Sequence, residues 1–318
     1  VQLSLVIPAY NEAESLPELL AWIRRVCDPR FPSYEIIVID DGSTDSTWAT
    51  LEALHAQHAP YLKAIRFARN YGKSAALHVG FQKAQGEVII TLDADLQDSP
   101  DEIPALYALI AEKGYDLVSG WKKHRKDPLS KTLPSRIFNT VVRLFTGIPL
   151  HDFNSGIKAY RAEVAKAIDL YGEMHRYIPY LVQAAGFRRI TEKVVTHYPR
   201  KYGHTKFGWE RFLYGFLDLV TVSFLVRFGR RPMHFFGGLG VLAILVGILI
   251  VTWLISDKLY QLHHYGQVRR EVVEQPLFYI GLMVAIIGVQ LFLAGFLGEL
   301  LLRQSPQKHH YILRTELS

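Results

Sequence analysis

Over the first ninety or so residues, short apolar runs alternate with stretches whose apolar positions recur every three or four residues. Leu3–Ile7 reads LSLVI and stops at Pro8-Ala9-Tyr10-Asn11-Glu12. Leu16, Leu19, Leu20 and Ile23 then keep helical spacing across Ser15–Val26. A second run, Glu35–Ile39 (EIIVI), ends at Asp40-Asp41-Gly42-Ser43. Asp45 stands where a helix N-cap belongs, ahead of Trp48, Leu51 and Leu54. Leu62–Phe67 predicts a third strand, Asn70-Tyr71-Gly72-Lys73 a turn, and Ser74–Ala84 a helix. Val88–Leu92 (VIITL) predicts a fourth strand, closed by Asp93-Ala94-Asp95, and Leu117–Ser119 a fifth. Strands alternating with helices at this pitch predict an α/β fold, a Rossmann-like, doubly wound and mostly parallel sheet.

The pattern changes in the last third. His234–Ile255 and Leu277–Gly298 are each 22 residues without a formal charge, Gln290 being the main polar interruption. About 20 apolar residues carry a helix across a bilayer core, and a backbone in hydrocarbon must satisfy its own hydrogen bonds. The alternative is a pair of helices buried in a globular core, but soluble helices seldom stay apolar on every face for six turns. Two spans place both flanks on one side. Arg227, Arg230 and Arg231 precede the first and Arg303 and Lys308 follow the second, against Lys258, Arg269 and Arg270 between them, so the bias favours a cytoplasmic main body. Residues 1–20 do not have the basic-then-apolar order of a signal peptide, which supports the same expectation.

Composition narrows the classes. The chain has 318 residues, and 49% apolar content excludes global disorder. A single cysteine, Cys27, excludes a disulfide scaffold and any Cys-based zinc site. The thirteen histidines show no metal-ligand spacing; His263-His264 and His309-His310 read as surface pairs. No GxGxxG follows the first strand and no Walker A sequence occurs, which argues against a dinucleotide oxidoreductase and a P-loop NTPase. The net charge of +6 has a local focus at Lys122-Lys123-His124-Arg125-Lys126. That run reads as a solvated loop, attracted to anionic headgroups at about 1 kcal/mol per basic residue. No recognition helix or aromatic ladder accompanies it, so nucleic acid is not an expected partner.

The chemistry lies at the strand ends. Glu12 follows the first strand, Asp40 and Asp41 the second, and Asp93 and Asp95 the fourth. In open parallel sheets ligands bind beyond these carboxyl ends. Asp40 and Asp41 alone would read as turn or cap residues; the grouping favours a site. In Asp93-Ala94-Asp95-Leu96-Gln97 two carboxylates and an amide alternate, which on an extended chain projects them to one side. Hard oxygen donors of this kind suit Mg²⁺ or Mn²⁺ bridging a substrate diphosphate.

The segments VIPAYNE, VIDDGSTD and TLDADLQDSP resemble family 2 glycosyltransferases of the GT-A fold. DFNSGIKAYR, HYPRKYGHTKFGWERF and the two spans sharpen the likeness to the polyprenyl-phosphate glycosyltransferases, the group of dolichyl-phosphate mannosyltransferase and undecaprenyl-phosphate glucosyltransferase. The resemblance runs over essentially the whole chain. It implies that Pro8, Tyr10, Glu12 and Asp41 line a nucleoside pocket, with Ala94 passing close to the nucleotide. It implies that Asp93, Asp95 and Gln97 hold metal and diphosphate, and that Arg200 and Lys206 of the P-R-x-x-G-x-[ST]-K loop fold over the donor. Lys122 and Arg136 match positions that meet acceptor or donor phosphate. Lys122 stands where some members carry arginine, which keeps the charge but not bidentate binding. Asp152, in the D-x-x-S-G element, matches a residue that orients the acceptor or acts as a weak base; a purely structural role in the turn before Ser155-Gly156 is the other reading.

The implied reaction is inverting transfer of a hexose from a nucleotide-diphosphate sugar, UDP-glucose-like in preference to GDP-mannose, to a membrane polyprenyl phosphate. The implied organisation is a glycosyltransferase domain over 1–207, including a juxtamembrane helix near 134–146, then an interfacial helix over 208–232, a two-helix membrane domain over 233–304 and a tail over 305–318. Ile137, Val141, Leu144 and Phe145 share one helical face, and Phe212, Leu213, Phe216, Leu217 and Val220 another, both read as interfacial. Asp218 argues against a third span, since a carboxylate at mid-bilayer costs about 2.5–3.5 kcal/mol. A homo-oligomer is compatible with these readings. The competing functions are a processive polysaccharide synthase, for which a Q-x-x-R-W element and further spans are missing, and a non-catalytic membrane scaffold, against which the intact DADLQ and P-R-x-x-G-x-T-K elements argue.

Overall fold

The computed structural model describes residues 1–58, 60–123, 129–199, 201–202, 210–228, 231–268 and 270–304. The chain divides into two compact units, 1–222 and 223–318.

The first unit opens with β1 (Leu3–Ala9), α1 (Leu16–Cys27), β2 (Tyr34–Asp40), α2 (Thr47–His58), β3 (Leu62–Arg66), α3 (Lys73–Lys83) and β4 (Val88–Thr91). It continues with α4 (Ile103–Ala111), β5 (Leu117–Trp121), α5 (Leu129–Thr146), β6 (Lys158–Arg161), α6 (Ala162–Ala167), α7 (Ile178–Ala184) and β7 (Ile190–Val194). The seven strands order as β3-β2-β1-β4-β6-β5-β7. β1, β2, β3 and β4 pair in parallel, as do β5 and β7, whereas β6 runs antiparallel to both β4 and β5. Every residue of β2 is buried, as expected of a strand covered by helices on both faces. α1 contributes Leu16, Leu19, Leu20 and Ile23 to the core, the positions its spacing predicts. Asp45 accepts the Thr47 N–H at 2.9 Å at the start of α2, satisfying one of the free donors there.

Two features depart from the sequence expectation. β6 and β7 were not anticipated, because KAYR is short with a lysine interrupting the apolar run, and ITEKV carries two adjacent charges. The D-A-D segment does not continue as an extended strand. β4 ends at Thr91, and the chain turns through Ala94 and Leu96, both buried, with Leu96 in the left-handed region at φ 59°. Burying those two apolar side chains beneath the turn is what holds a non-glycine residue there.

α5 exposes Ile137, Val141, Leu144 and Phe145 and buries Asn139 and Val142. α8 (Glu210–Phe228) crosses from the first unit into the second and buries Leu219 and Val222.

The second unit continues with α9 (Pro232–Tyr265) and α10 (Pro276–Gln304). Met233–Tyr265 and Pro276–Leu301 are long and apolar enough to cross a membrane, with mean hydropathies of 2.7 and 2.4. The helices lie antiparallel. A Cβ added at Gly240 would meet the Gly288 carbonyl at 2.6 Å, and one at Gly247 the Gly281 carbonyl at 2.6 Å. Close backbone approach through small residues is how helices associate where hydrophobic burial between them gives little drive. Gly266, at φ 64°, closes α9 as a left-handed C-cap.

Candidate active site

Strand order reverses between β1 and β4, and the loops leaving β1, β2 and β4 emerge side by side at their carboxyl ends. The first two loops are laced together. Asn11, at φ 57°, donates its N–H to Ser43 Oγ at 2.9 Å and accepts the Thr44 N–H on Oδ1 at 2.9 Å. Glu12 donates its N–H to Thr47 Oγ1 at 2.9 Å, and its carboxylate accepts the Ser15 hydroxyl at 2.7 Å. Pro8 sits in β1 opposite Ile39, and Tyr10 is half-buried at the rim.

Asp40 and Asp41 have separate tasks. Asp40 is fully buried, accepts the Ser43 N–H at 2.9 Å and lies 3.4 Å from Arg66 Nε. Asp41 accepts the Tyr71 N–H at 2.7 Å and the Gly72 N–H at 2.9 Å, fixing the turn before α3. Burial raises its pKa against the pull of those two bonds. A groove of about 390 Å³ runs past Gly42, Ser43, Arg66, Phe67 and Ala68 at the tips of β2 and β3.

Beyond β4 the site becomes a lattice of acids and lysines. Asp93 Oδ1 lies 2.5 Å from Lys73 Nζ at the start of α3. Burial would push Asp93 up, but Lys73, Lys122 and Lys158 outweigh it and hold the carboxyl down at about 2. Asp98, fully buried, lies 2.7 Å from Lys122 Nζ. Burial would lower Lys122, but Asp98 and then Asp93 hold its pKa above the ordinary value. Both aspartates converge on Gly156, where an added Cβ would lie 2.3 Å from Asp93 Oδ2 and 2.9 Å from Asp98 Oδ2. Glycine is required there for space, not for backbone freedom. Asp152 is buried in the turn leading to Gly156, accepts the Asn154 N–H at 3.2 Å on Oδ1, and its carbonyl accepts the Ser119 hydroxyl at 3.1 Å.

Asp95 and Gln97 have other partners. Asp95 Oδ1 accepts the Gln97 N–H at 3.2 Å, and Gln97 Nε2 donates to the Tyr198 carbonyl at 3.4 Å. Among the described residues no group of three His, Cys, Asp or Glu side chains forms a protein-only metal cage. That donor set fits Mg²⁺ or Mn²⁺, which take one or two carboxylates and complete their shells with substrate phosphate and water. Asp95 is buried and already accepts the Gln97 N–H, Gln97 is half-buried, and at Asp93 a cation would compete with Lys73 for one oxygen.

The structure thus brings together Pro8, Tyr10, Glu12 and Asp41 on the β1–β2 side and Asp93, Ala94, Asp95, Gln97, Lys122 and Asp152 around the β4 end. Arg136 lies exposed on α5. Arg200 and Lys206 lie outside the described residues, as do His124–Lys126 of the basic run. Sequence reasoning missed Lys73, Asp98 and Lys158. Asp98 stood inside the quoted TLDADLQDSP, and Lys158 was signalled by a charge within an apolar run. Nothing in the sequence linked Lys73 to Asp93.

Residues 4–169 match the family model described as glycosyl transferase family 2. The chain is 34% identical to the dodecaprenyl-phosphate galacturonate synthase of Rhizobium johnstonii, over 99% of this chain and 92% of that protein. It is 38% identical to the undecaprenyl-phosphate 4-deoxy-4-formamido-L-arabinose transferase of Shewanella sediminis, over 93% of this chain and 86% of that protein. Among solved structures it resembles the glucosyl-3-phosphoglycerate synthase of Mycobacterium tuberculosis, crystallised with Mn²⁺ and UDP-glucose, with a TM-score of 0.54 and 21% identity over 72% of this chain and 79% of that one. That likeness establishes the GT-A-like fold. The chain belongs to glycosyl transferase family 2 and is a glycosyltransferase.

Proposed function

We propose that this glycosyltransferase moves a hexosyl unit, with inversion, from a uridine-diphosphate sugar to a polyprenyl monophosphate at a membrane surface. The observation that carries the reading is the graded edge of one sheet. The tips of β1 and β2 carry Glu12 and Asp41, the end of β4 carries the oxygen donors Asp93, Asp95 and Gln97, and lysines occupy the region beyond. The polyprenyl-phosphate acceptors in the relatives' names support the same assignment.

Each group then has a task. Glu12, Asp41, Tyr10 and Pro8 hold the nucleoside, with Ala94 beneath it. Asp95 and Gln97, with Asp93 adjacent, hold a divalent cation, Mg²⁺ or Mn²⁺. When bound, the cation supplies charge neutralisation on the diphosphate. Lys73 and Lys122 add fixed positive charge where negative charge develops. The acceptor phosphate, with a second pKa near ~6, is mostly dianionic at neutral pH and needs no strong base. One of its oxygens forms the new bond to the anomeric carbon as the bond to the β-phosphate oxygen breaks, and the electron pair leaves with UDP. Asp152 orients the acceptor from the β6 side, and Lys122 and Arg136 attract its phosphate. Arg200 and Lys206 are assigned to the donor phosphates.

The acceptor's hydrocarbon tail stays in the bilayer, so the enzyme must meet it there. Helices of mean hydropathy 2.7 and 2.4 support anchoring by two spans. The exposed apolar face of α5 supports a catalytic unit resting on the headgroups, on the cytoplasmic side given the Lys and Arg distribution. The test is transfer of radiolabel from a panel of nucleotide sugars by the purified full chain with undecaprenyl, dodecaprenyl and dolichyl phosphates. Chloroform-extractable label is expected with a UDP-sugar. Label in a water-soluble polymer would favour a processive synthase, and failure to bind any nucleotide with Mn²⁺ a scaffold.

A further inference from the structure

Lys158 lies deep in the sheet, opposite Thr91 in the β4–β6 pairing and two residues beyond Gly156. It is 3% exposed. Its ammonium donates to the Ser155 carbonyl, and no ion pair joins it among the described residues. Burying an ammonium is costly, and Asp152 and Asp93, which it shares with Lys122 and Lys73, offset that cost only in part. Burial and the nearby Lys73 ammonium pull its pKa down to about 8.

Lys158 lines a narrow crevice with Lys73, Ser155, Asn154, His175 and Tyr160. The Ser155 hydroxyl, also 3% exposed, has no hydrogen-bond partner among the described residues. His175 is tied to Ser74, whose hydroxyl accepts the His175 N–H at 3.0 Å. The crevice has about 10 Å³ of free space, room for one water-sized group and too little for a sugar ring. It lies directly behind Asp93, which Lys73 and Gly156 both touch. Along the strand tips the order is nucleoside side at β2 and β1, diphosphate side at β4, then this crevice at β4–β6. The part of a nucleotide sugar that extends past the diphosphate is the sugar.

We infer that this crevice reads a carboxylate on the donor sugar, so that the substrate class is a nucleotide-activated hexuronic acid, held by Lys158 with Lys73 and the Ser155 hydroxyl. The inference rests on the nucleotide-sugar reading above and narrows it. A neutral hydroxymethyl group in the same place would leave the ammonium with only the carboxylates it shares with Lys73 and Lys122, so discrimination comes from an incompletely compensated buried charge. The same oxyanion chemistry could be met by the acceptor's phosphate, and the experiment separates the two sources.

Calorimetry on the detergent-solubilised full chain with Mn²⁺ compares UDP-glucuronate with UDP-glucose, UDP-galacturonate with UDP-galactose, and GDP-mannuronate with GDP-mannose. One acidic sugar is expected to bind at least tenfold more tightly than its neutral counterpart. In Lys158→Met that ratio falls to near one, while the melting temperature stays level or rises because an incompletely compensated buried charge has gone. A purely structural lysine would instead lower the melting temperature and leave the ratio intact. Equal affinities in all three pairs, or no nucleotide-sugar binding at all, would overturn the inference. So would a Lys158→Met effect confined to polyprenyl-phosphate affinity, which would assign the anion to the acceptor. Tight uronate binding without lipid labelling would leave this inference standing and sink the acceptor assignment; unselective hexose transfer to lipid would do the reverse.

Discussion

The Lys73 ammonium and the Asp93 carboxylate meet at 2.5 Å across twenty residues of chain, joining the start of a helix to the end of a strand. The pair sets the electrostatics of the D-A-D turn. It ties up one oxygen of Asp93 beside Asp95 and Gln97.

The pair has a pH signature. Asp93 is held at about 2 in the fold against an ordinary 3.8, so it binds a proton less readily folded than unfolded. Its contribution to stability, about 2 kcal/mol at most, is fully present above 3.8 and is lost as pH falls through that value toward 2. Thermal melts of the wild type and Asp93→Asn across pH 2–6 check this: the gap is widest at the upper end and closes toward the lower. A gap independent of pH would show that the ion pair is not its source.

Asp95→Ala removes a proposed cation donor without touching the lysine pairs. Turnover should fall by about 10²–10³-fold or more, with the circular dichroism spectrum unchanged and Mn²⁺-dependent UDP binding lost by calorimetry. Wild-type turnover in this variant would refute the metal assignment.

Gly156→Ala places a methyl group 2.3 Å from Asp93 Oδ2 and 2.9 Å from Asp98 Oδ2. Overpacking of this kind costs about 1–3 kcal/mol, and here it also separates Asp93 from Asp98. A lower melting temperature together with near-complete loss of transfer is expected. Full activity would mean that the two carboxylates need not converge.

Leu144 and Phe145 are 79% and 59% exposed on α5. The double substitution Leu144→Glu and Phe145→Glu should leave folding nearly unchanged and weaken use of polyprenyl phosphate in vesicles, raising its apparent KM with nucleotide-sugar affinity unaltered. Vesicle kinetics check it, and an unchanged KM would remove α5 from the interface.

In the second unit, Gly240→Leu with Gly288→Leu forces apart backbones that now approach too closely for any Cβ. Loss of a helix–helix disulfide engineered between α9 and α10, relative to the same cysteines with both glycines present, is the expected readout. Unchanged cross-linking would show that the hairpin does not depend on this contact.

The sequence alone determined what depends on local pattern. The alternation of strands and helices, the apolar face of α1 and the two long apolar helices follow from hydrophobic periodicity and length, which neighbouring residues settle among themselves. The acidic strand ends were also legible, because parallel strands all deliver their carboxyl termini to one edge. Tertiary structure decided the rest. Reversal of β6 brings Gly156 and Lys158 beside β4, and only that pairing places a buried lysine near Asp93 and a glycine beneath it. The turn at Leu96 is set by what Ala94 and Leu96 pack under, not by the D-A-D spacing. Lys73–Asp93 and Lys122–Asp98 are distance-dependent electrostatic contacts between separate elements. Coulomb energy falls with separation in space and carries no trace of separation in sequence, so these partners became visible only once the chain had folded.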